Sequence, residues 1–111
     1  MGFLNFFMGA NINEGVKKYN ETPGAYLIDV REPGEYSQGH VPGSKNVPLS
    51  RIQIVGNFVK DKNTPVFIYC LSGGRSSQAA NKLKQMGFTD VNNIGGINSY
   101  KGAIERWLRL L

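Results

Sequence analysis

One cysteine, one histidine and one tryptophan stand in a chain of 111 residues, and each scarcity narrows what the protein does. A single cysteine excludes an intramolecular disulfide, a Cys-x-x-Cys redox pair and any multi-cysteine zinc site. An unpaired thiol suits a reducing compartment such as the cytoplasm. The N-terminal run Phe3-Leu4-Asn5-Phe6-Phe7-Met8 is broken by Asn5, has no basic residue ahead of it and is too short to cross a bilayer. Residues 1–10 therefore read as a separate apolar segment, and no membrane span is expected. Basic residues outnumber acidic ones for a net charge of +5, but they are scattered, without the stripe or motif of a nucleic-acid partner. That charge suits mild steering of small anions, or simply a basic soluble surface. Repeats, low-complexity tracts and linkers are missing too. The length fits one domain, 11–111, and 41% hydrophobic with 19% charged residues is the balance of an ordinary globular core.

What is present centres on Val66-Phe67-Ile68-Tyr69-Cys70-Leu71-Ser72-Gly73-Gly74-Arg75-Ser76. Val66 to Tyr69 is a short apolar run entered through Pro65, the pattern of a strand buried on both faces. From Ser76 to Met86 the spacing of Ala79, Leu83 and Met86 predicts a helix, with Gly87 as its left-handed cap. Cys70 thus falls where a strand feeds the loop that starts a helix. Amides at a helix start carry partial positive charge, and Gly73 and Gly74 allow the loop to turn N–H groups inward around an anion. A thiolate held there has a depressed pKa. Arg75 beside a helix N-terminus opposes the macrodipole, which requires a nearby anion. The plain alternative is a buried cysteine acting as a small hydrophobe, with Ser72 and Ser76 as turn residue and helix cap; the Gly-Gly-Arg-Ser continuation favours an accessible, reactive thiolate.

Around this stretch the chain alternates helix and strand. Asn11 and Glu14 have the spacing of a capping pair for a helix through Ile12, Val16 and Tyr19 that ends near Glu21. A strand is expected over 25–30, a short helical turn from Pro33 with Glu35 and Tyr36, a short strand over 46–48, and a strand over 90–94. Ser50 and Gln53 predict a second capped helix, with Leu49, Ile52, Val55 and Val59 as its apolar face. Ala103 to Leu111 reads as a closing helix, with Ile104, Trp107, Leu108 and Leu111 on one face and Glu105 paired to Arg109. The expected fold is α/β, a central, mainly parallel sheet with helices on both faces. Ligands in such sheets bind at the carboxyl ends of strands, where Asp29-Val30-Arg31 and Cys70 both lie.

Asp29-Val30-Arg31-Glu32-Pro33-Gly34-Glu35-Tyr36, then Gly39-His40-Val41-Pro42-Gly43-Ser44 and Asn46-Val47-Pro48, then Cys70-Leu71-Ser72-Gly73-Gly74-Arg75-Ser76, and finally Ile94-Gly95-Gly96-Ile97 resemble, in order, the signatures of the rhodanese-like family of sulfurtransferases. The resemblance runs from about Ile12 over nearly the whole chain. It implies a rhodanese-like fold, no cofactor and no metal, and Cys70 as the catalytic residue that takes a sulfane sulfur from a small anionic donor such as thiosulfate. The persulfide so formed passes to a thiophilic acceptor, cyanide or a thiol, a protein thiol included. Leu71, Ser72, Gly73, Gly74, Arg75 and Ser76 would bind the substrate, with Arg75 favouring the anionic donor and the departing sulfite. Asp29, Arg31 and His40 are read as strand-end hydrogen bonds and loop anchors. Leu71 stands where many active members carry a basic residue, and Tyr100 where a tryptophan often follows the double glycine.

Two other readings belong beside this one. Cysteine phosphatases and arsenate reductases set five residues between Cys and Arg to encircle a tetrahedral oxyanion, whereas four intervene here, a tighter loop suited to a sulfur atom. A binding or regulatory module could also keep the fold without turnover.

Overall fold

The computed structural model describes residues 11–107. The expected apolar segment 1–10 and residues 108–111 of the expected closing helix lie outside the described residues. Helix α1 spans Ile12–Asn20, and Asn11 caps it by accepting the Asn13 N–H at 3.0 Å. Strand β1 follows at Tyr26–Asp29, helix α2 at Pro33–Gln38 and strand β2 at Lys45–Asn46. A 3₁₀ turn at Leu49–Ile54 runs into the short helix α3, Val55–Phe58. Strand β3 is Val66–Cys70, helix α4 Gly74–Gln85 and strand β4 Val91–Gly96, with a last 3₁₀ turn at Ile97–Ser99.

The strands are all parallel, in the order β2-β1-β3-β4. Every residue of β3 is buried, as its unbroken apolar sequence demands of a central strand. Its side chains alternate between two cores. Val66, Ile68 and Cys70 point to the side covered by α4 and the Leu49–Phe58 segment, among Ile28, Val55 and Leu83. Phe67 and Tyr69 face α1, among Ile12, Val16 and Ile94. Each fully buried aliphatic side chain in these cores stabilises the fold by roughly 1.5–3 kcal/mol. The chain leaves β1 toward β2 on one side and β3 toward β4 on the other, so the order reverses between β1 and β3. The crevice at their carboxyl ends is where such sheets bind ligands, and there Asp29 pairs with Tyr69, next to Cys70.

Two expected helices differ. Ser50 makes no cap: Pro48 precedes the turn, the Leu49 N–H is held by Val30 O at 3.0 Å, and Arg51 leaves helical geometry at φ −125°. The β-branched Ile52, Ile54 and Val55, followed by Gly56, favour helix too weakly to override that tether. The other is the closing segment, which is not helical over residues 101–107. Glu105 instead pairs antiparallel with His40, each N–H donating to the other's carbonyl at 2.9 Å, and the Trp107 N–H donates to Ser37 O at 3.0 Å. A nine-residue helix is marginal in water, and the loop after α2 offers backbone partners that a helix end would leave unused.

Candidate active site

Cys70 ends β3, and the loop that follows turns its amides back toward the sulfur. Gly73 makes that turn at φ +112°, a conformation open to glycine but strained for other residues. Its N–H donates to Cys70 Sγ at 2.9 Å. Helix α4 then starts at Gly74, two residues before the position expected from its apolar stripe, so Ser76 sits in the first turn with its hydroxyl 3.4 Å from Sγ. Burial pushes the thiol pKa up, but the Ser76 hydroxyl and the N–H groups of Ser76, Gly73 and Ser72 outweigh it, and the net shift is downward. The loop stabilises a thiolate, as its composition predicts.

Accessibility differs from the sequence expectation. Cys70 is only 1% exposed, because its side chain joins the α4-side core while the loop covers the strand end. The loop in turn lies directly on the end of β4. A Cβ at Gly96 would collide with Leu71 O and the Ser72 Cα, so glycine at this position lets the strand and the loop approach. The register shift between Ile68 and Tyr69 sets Cys70 opposite Gly96.

The Ser76 hydroxyl serves three acceptors with one proton. It lies 2.8 Å from Asn93 Oδ1 and 3.0 Å from Gly73 O, besides the sulfur. Asn93 Oδ1 also accepts the Gly95 N–H at 3.0 Å, which fixes the amide's orientation. With a neutral thiol, the S–H donates to Ser76 Oγ and the hydroxyl proton points to Asn93. With a thiolate, that proton turns to the sulfur. Asn93 was not legible as a site residue; its one signal is a polar side chain within the strand that leads into Gly95-Gly96.

The arginine called for an anion, and the structure supplies Glu35. Arg75 Nη1 and Nη2 donate to Glu35 Oε1 and Oε2 at 2.8 and 3.0 Å. The Arg75 hydrogen bonds hold the Glu35 carboxyl down at about 2, against the opposing effect of burial. Glu35 belongs to α2, where its carboxylate also accepts the Glu32 N–H at 2.9 Å in a reciprocal cap. Asp29 and Arg31 form a separate, buried bidentate pair, with Arg31 Nη2 2.7 Å from Asp29 Oδ2 and 2.7 Å from Gly39 O. His40 is buried as well: Nδ1 meets Tyr36 O at 2.7 Å, its ring stacks on Tyr36 at 3.7 Å, and Nε2 lies 3.6 Å from Glu105 Oε1. All three anchor the segment after β1, in keeping with the structural roles read for them.

Of the loop side chains, Leu71 is 43% exposed and projects from the rim. Ser72 and Gly74 are also exposed, and Ser76 is buried against the sulfur. Among the described residues no three His, Cys, Asp or Glu side chains gather to hold a metal ion.

A cysteine sulfur met by a loop amide at a helix N-terminus, at the reversal point of a parallel sheet, has an arrangement suited to nucleophilic sulfur chemistry. The family model described as Rhodanese-like domain matches residues 13–103. The chain belongs to the rhodanese-like family. This rhodanese-like chain is 45% identical over 73 residues to thiosulfate sulfurtransferase PspE of Escherichia coli (strain K12), covering 65% of this chain and 70% of PspE. It is 40% identical over 82 residues to the protein YqhL of Bacillus subtilis (strain 168), covering 73% of this chain but only 64% of YqhL. A solved structure described as rhodanese with anions from E. coli matches with a TM-score of 0.70 at 38% identity, over 74% of this chain and 98% of that one. PspE is named a thiosulfate sulfurtransferase, and this rhodanese-like chain spans about two thirds of the length of these two relatives.

Proposed function

We propose that residues 11–111 form a single rhodanese-like domain that moves a sulfane sulfur from thiosulfate or another persulfide donor to a thiophilic acceptor through a Cys70 persulfide. The observation that carries this reading is the Gly73 N–H donating to Cys70 Sγ at 2.9 Å at the start of α4. The Cys70 thiolate attacks the outer sulfur of thiosulfate; the new S–S bond forms as the old one breaks, and sulfite leaves with the bonding pair. The persulfide keeps one negative charge, which the amides from Leu71 to Ser76 stabilise by charge-assisted hydrogen bonds. Cyanide or a thiolate, a protein thiol included, then takes the outer sulfur and releases the Cys70 thiolate. A nearly buried Sγ favours donors that present a small terminal sulfur. The single thiol suits a reducing compartment such as the cytoplasm, and among the described residues no helix is long and apolar enough to cross a membrane.

Intact mass after incubation with thiosulfate tests the proposal. Wild type is expected to gain the mass of one sulfur atom, Cys70→Ser none, and added cyanide to remove it. The burial of Cys70 favours a second reading, a non-catalytic binding module. No sulfur uptake from thiosulfate or from cysteine persulfide, combined with equal partner binding by wild type and Cys70→Ser, would favour that module.

A further inference from the structure

Residues 31–39 and 70–76, the two segments flanking the crevice, contain two cations, Arg31 and Arg75, and both are committed to carboxylates. Arg31 is buried on Asp29 and Gly39 O. Arg75 spends both terminal nitrogens on Glu35. The Glu35 carboxylate is fixed first by its own helix, through the Glu32 N–H, so the arginine comes to a preset acceptor. Leu71, the exposed side chain of the rim, carries no charge. A dianion entering this crevice finds oriented amides, but both terminal nitrogens of Arg75 already serve a carboxylate whose charge opposes it.

We propose that Glu35 is a specificity-determining residue of the sulfur-transfer site: by occupying Arg75 it competes with dianionic donors and weights the site toward donors that need only the loop amides. The inference rests on the sulfurtransferase reading. It is also chemically specific. Thiosulfate carries charge on its sulfonate end, which lies outside the amide cradle once its outer sulfur meets Sγ, and Arg75, in the first turn of α4 and close enough to feel the Cys70 charge, is the cation that a released guanidinium would offer it. An alkyl persulfide anion carries one charge, on the sulfur that is transferred, and has no sulfonate to satisfy. Its transfer, Cys–S⁻ plus RSS⁻ giving Cys–SS⁻ and RS⁻, asks nothing of Arg75. Glu35 and Arg75 are each about one-third exposed, 33% and 33%, so the pair exchanges partners at modest cost and the effect is graded.

Calorimetric binding of thiosulfate to Cys70→Ser, in which no sulfur moves, isolates the competition. Adding Glu35→Gln, which keeps the size and an acceptor for the Glu32 N–H, is expected to tighten thiosulfate binding about three- to tenfold. The gain should vanish in an Arg75→Gln background. In the Cys70-containing protein, Glu35→Gln should lower KM for thiosulfate by a similar factor while moving KM for cysteine persulfide less than about twofold. Unchanged or weaker thiosulfate binding in Glu35→Gln overturns the proposal, as does equal tightening with and without Arg75, which would mean general electrostatics. If wild type takes sulfur from neither donor while the Arg75-dependent shift in binding persists, the transferase reading falls and Glu35's control of anion binding stands.

Discussion

Asp29 with Arg31 and Glu35 with Arg75 are the same chemistry in two settings. The first pair sits at the end of β1 with side chains 0% and 6% exposed, and its guanidinium also reaches Gly39 O. The second bridges α2 to the loop after β3 with a third of each side chain in solvent. Desolvation makes a buried pair costly to break, because either partner left alone is an uncompensated charge. A pair one-third exposed is screened, and water replaces whichever partner leaves. The buried pair therefore shapes the crevice, and the exposed one can answer to what enters it.

Breaking the buried pair should produce the largest effect. Asp29→Ala strands Arg31 and is expected to cost about 3–5 kcal/mol of stability, seen as a large drop in the denaturation midpoint; a loss under about 1 kcal/mol would erase the distinction between the pairs. Between the two lies Ser76. Ser76→Ala removes the hydroxyl that donates to the thiolate, so the Cys70 pKa should rise and alkylation by iodoacetamide at neutral pH should slow, at a stability cost of about 1 kcal/mol. An unchanged alkylation profile would take Ser76 out of the site.

The smallest effect belongs to the exposed pair. Glu35 is held at about 2, below its ordinary 4.5, so its contribution is fully present above the unfolded value and lost as pH falls through the folded one. Discounted for exposure, it amounts to about 1 kcal/mol or less. Wild type should exceed Glu35→Gln by that margin at pH 6, and the two should converge by about pH 2. A pH-independent gap would mean that the carboxylate acts by shape rather than charge.

Much of the sheet was readable because its signals are local. β3 announces itself as an apolar run and must be central; α1 follows from Asn11 and a helical spacing; Gly87 takes the left-handed conformation its position implies, φ +103°. Arg75 beside a helix start read as a sign of negative charge held in the Cys70 loop, but the anion it meets is the Glu35 carboxylate. Which anion it needed was not local information, since Glu35 lies forty residues earlier and meets the arginine only because α2 and the Cys70 loop close the same crevice. The burial of Cys70 and the Asn93 contact to Ser76 depend likewise on how β4 approaches the loop. Over residues 103–107 local pattern misled, since an amphipathic period was outweighed by two backbone hydrogen bonds to His40.

That last departure leaves the single tryptophan in an informative place. Trp107 is 65% exposed, yet its ring lies edge-on to Tyr36 at 5.2 Å and to His40 at 5.5 Å, and Tyr36 shares α2 with Glu35. The protein thus carries its own optical probe. The intensity of Trp107 emission responds to the quenching groups around the indole, so a stopped-flow trace of donor binding reads directly, without a label, whether α2 moves or stays fixed.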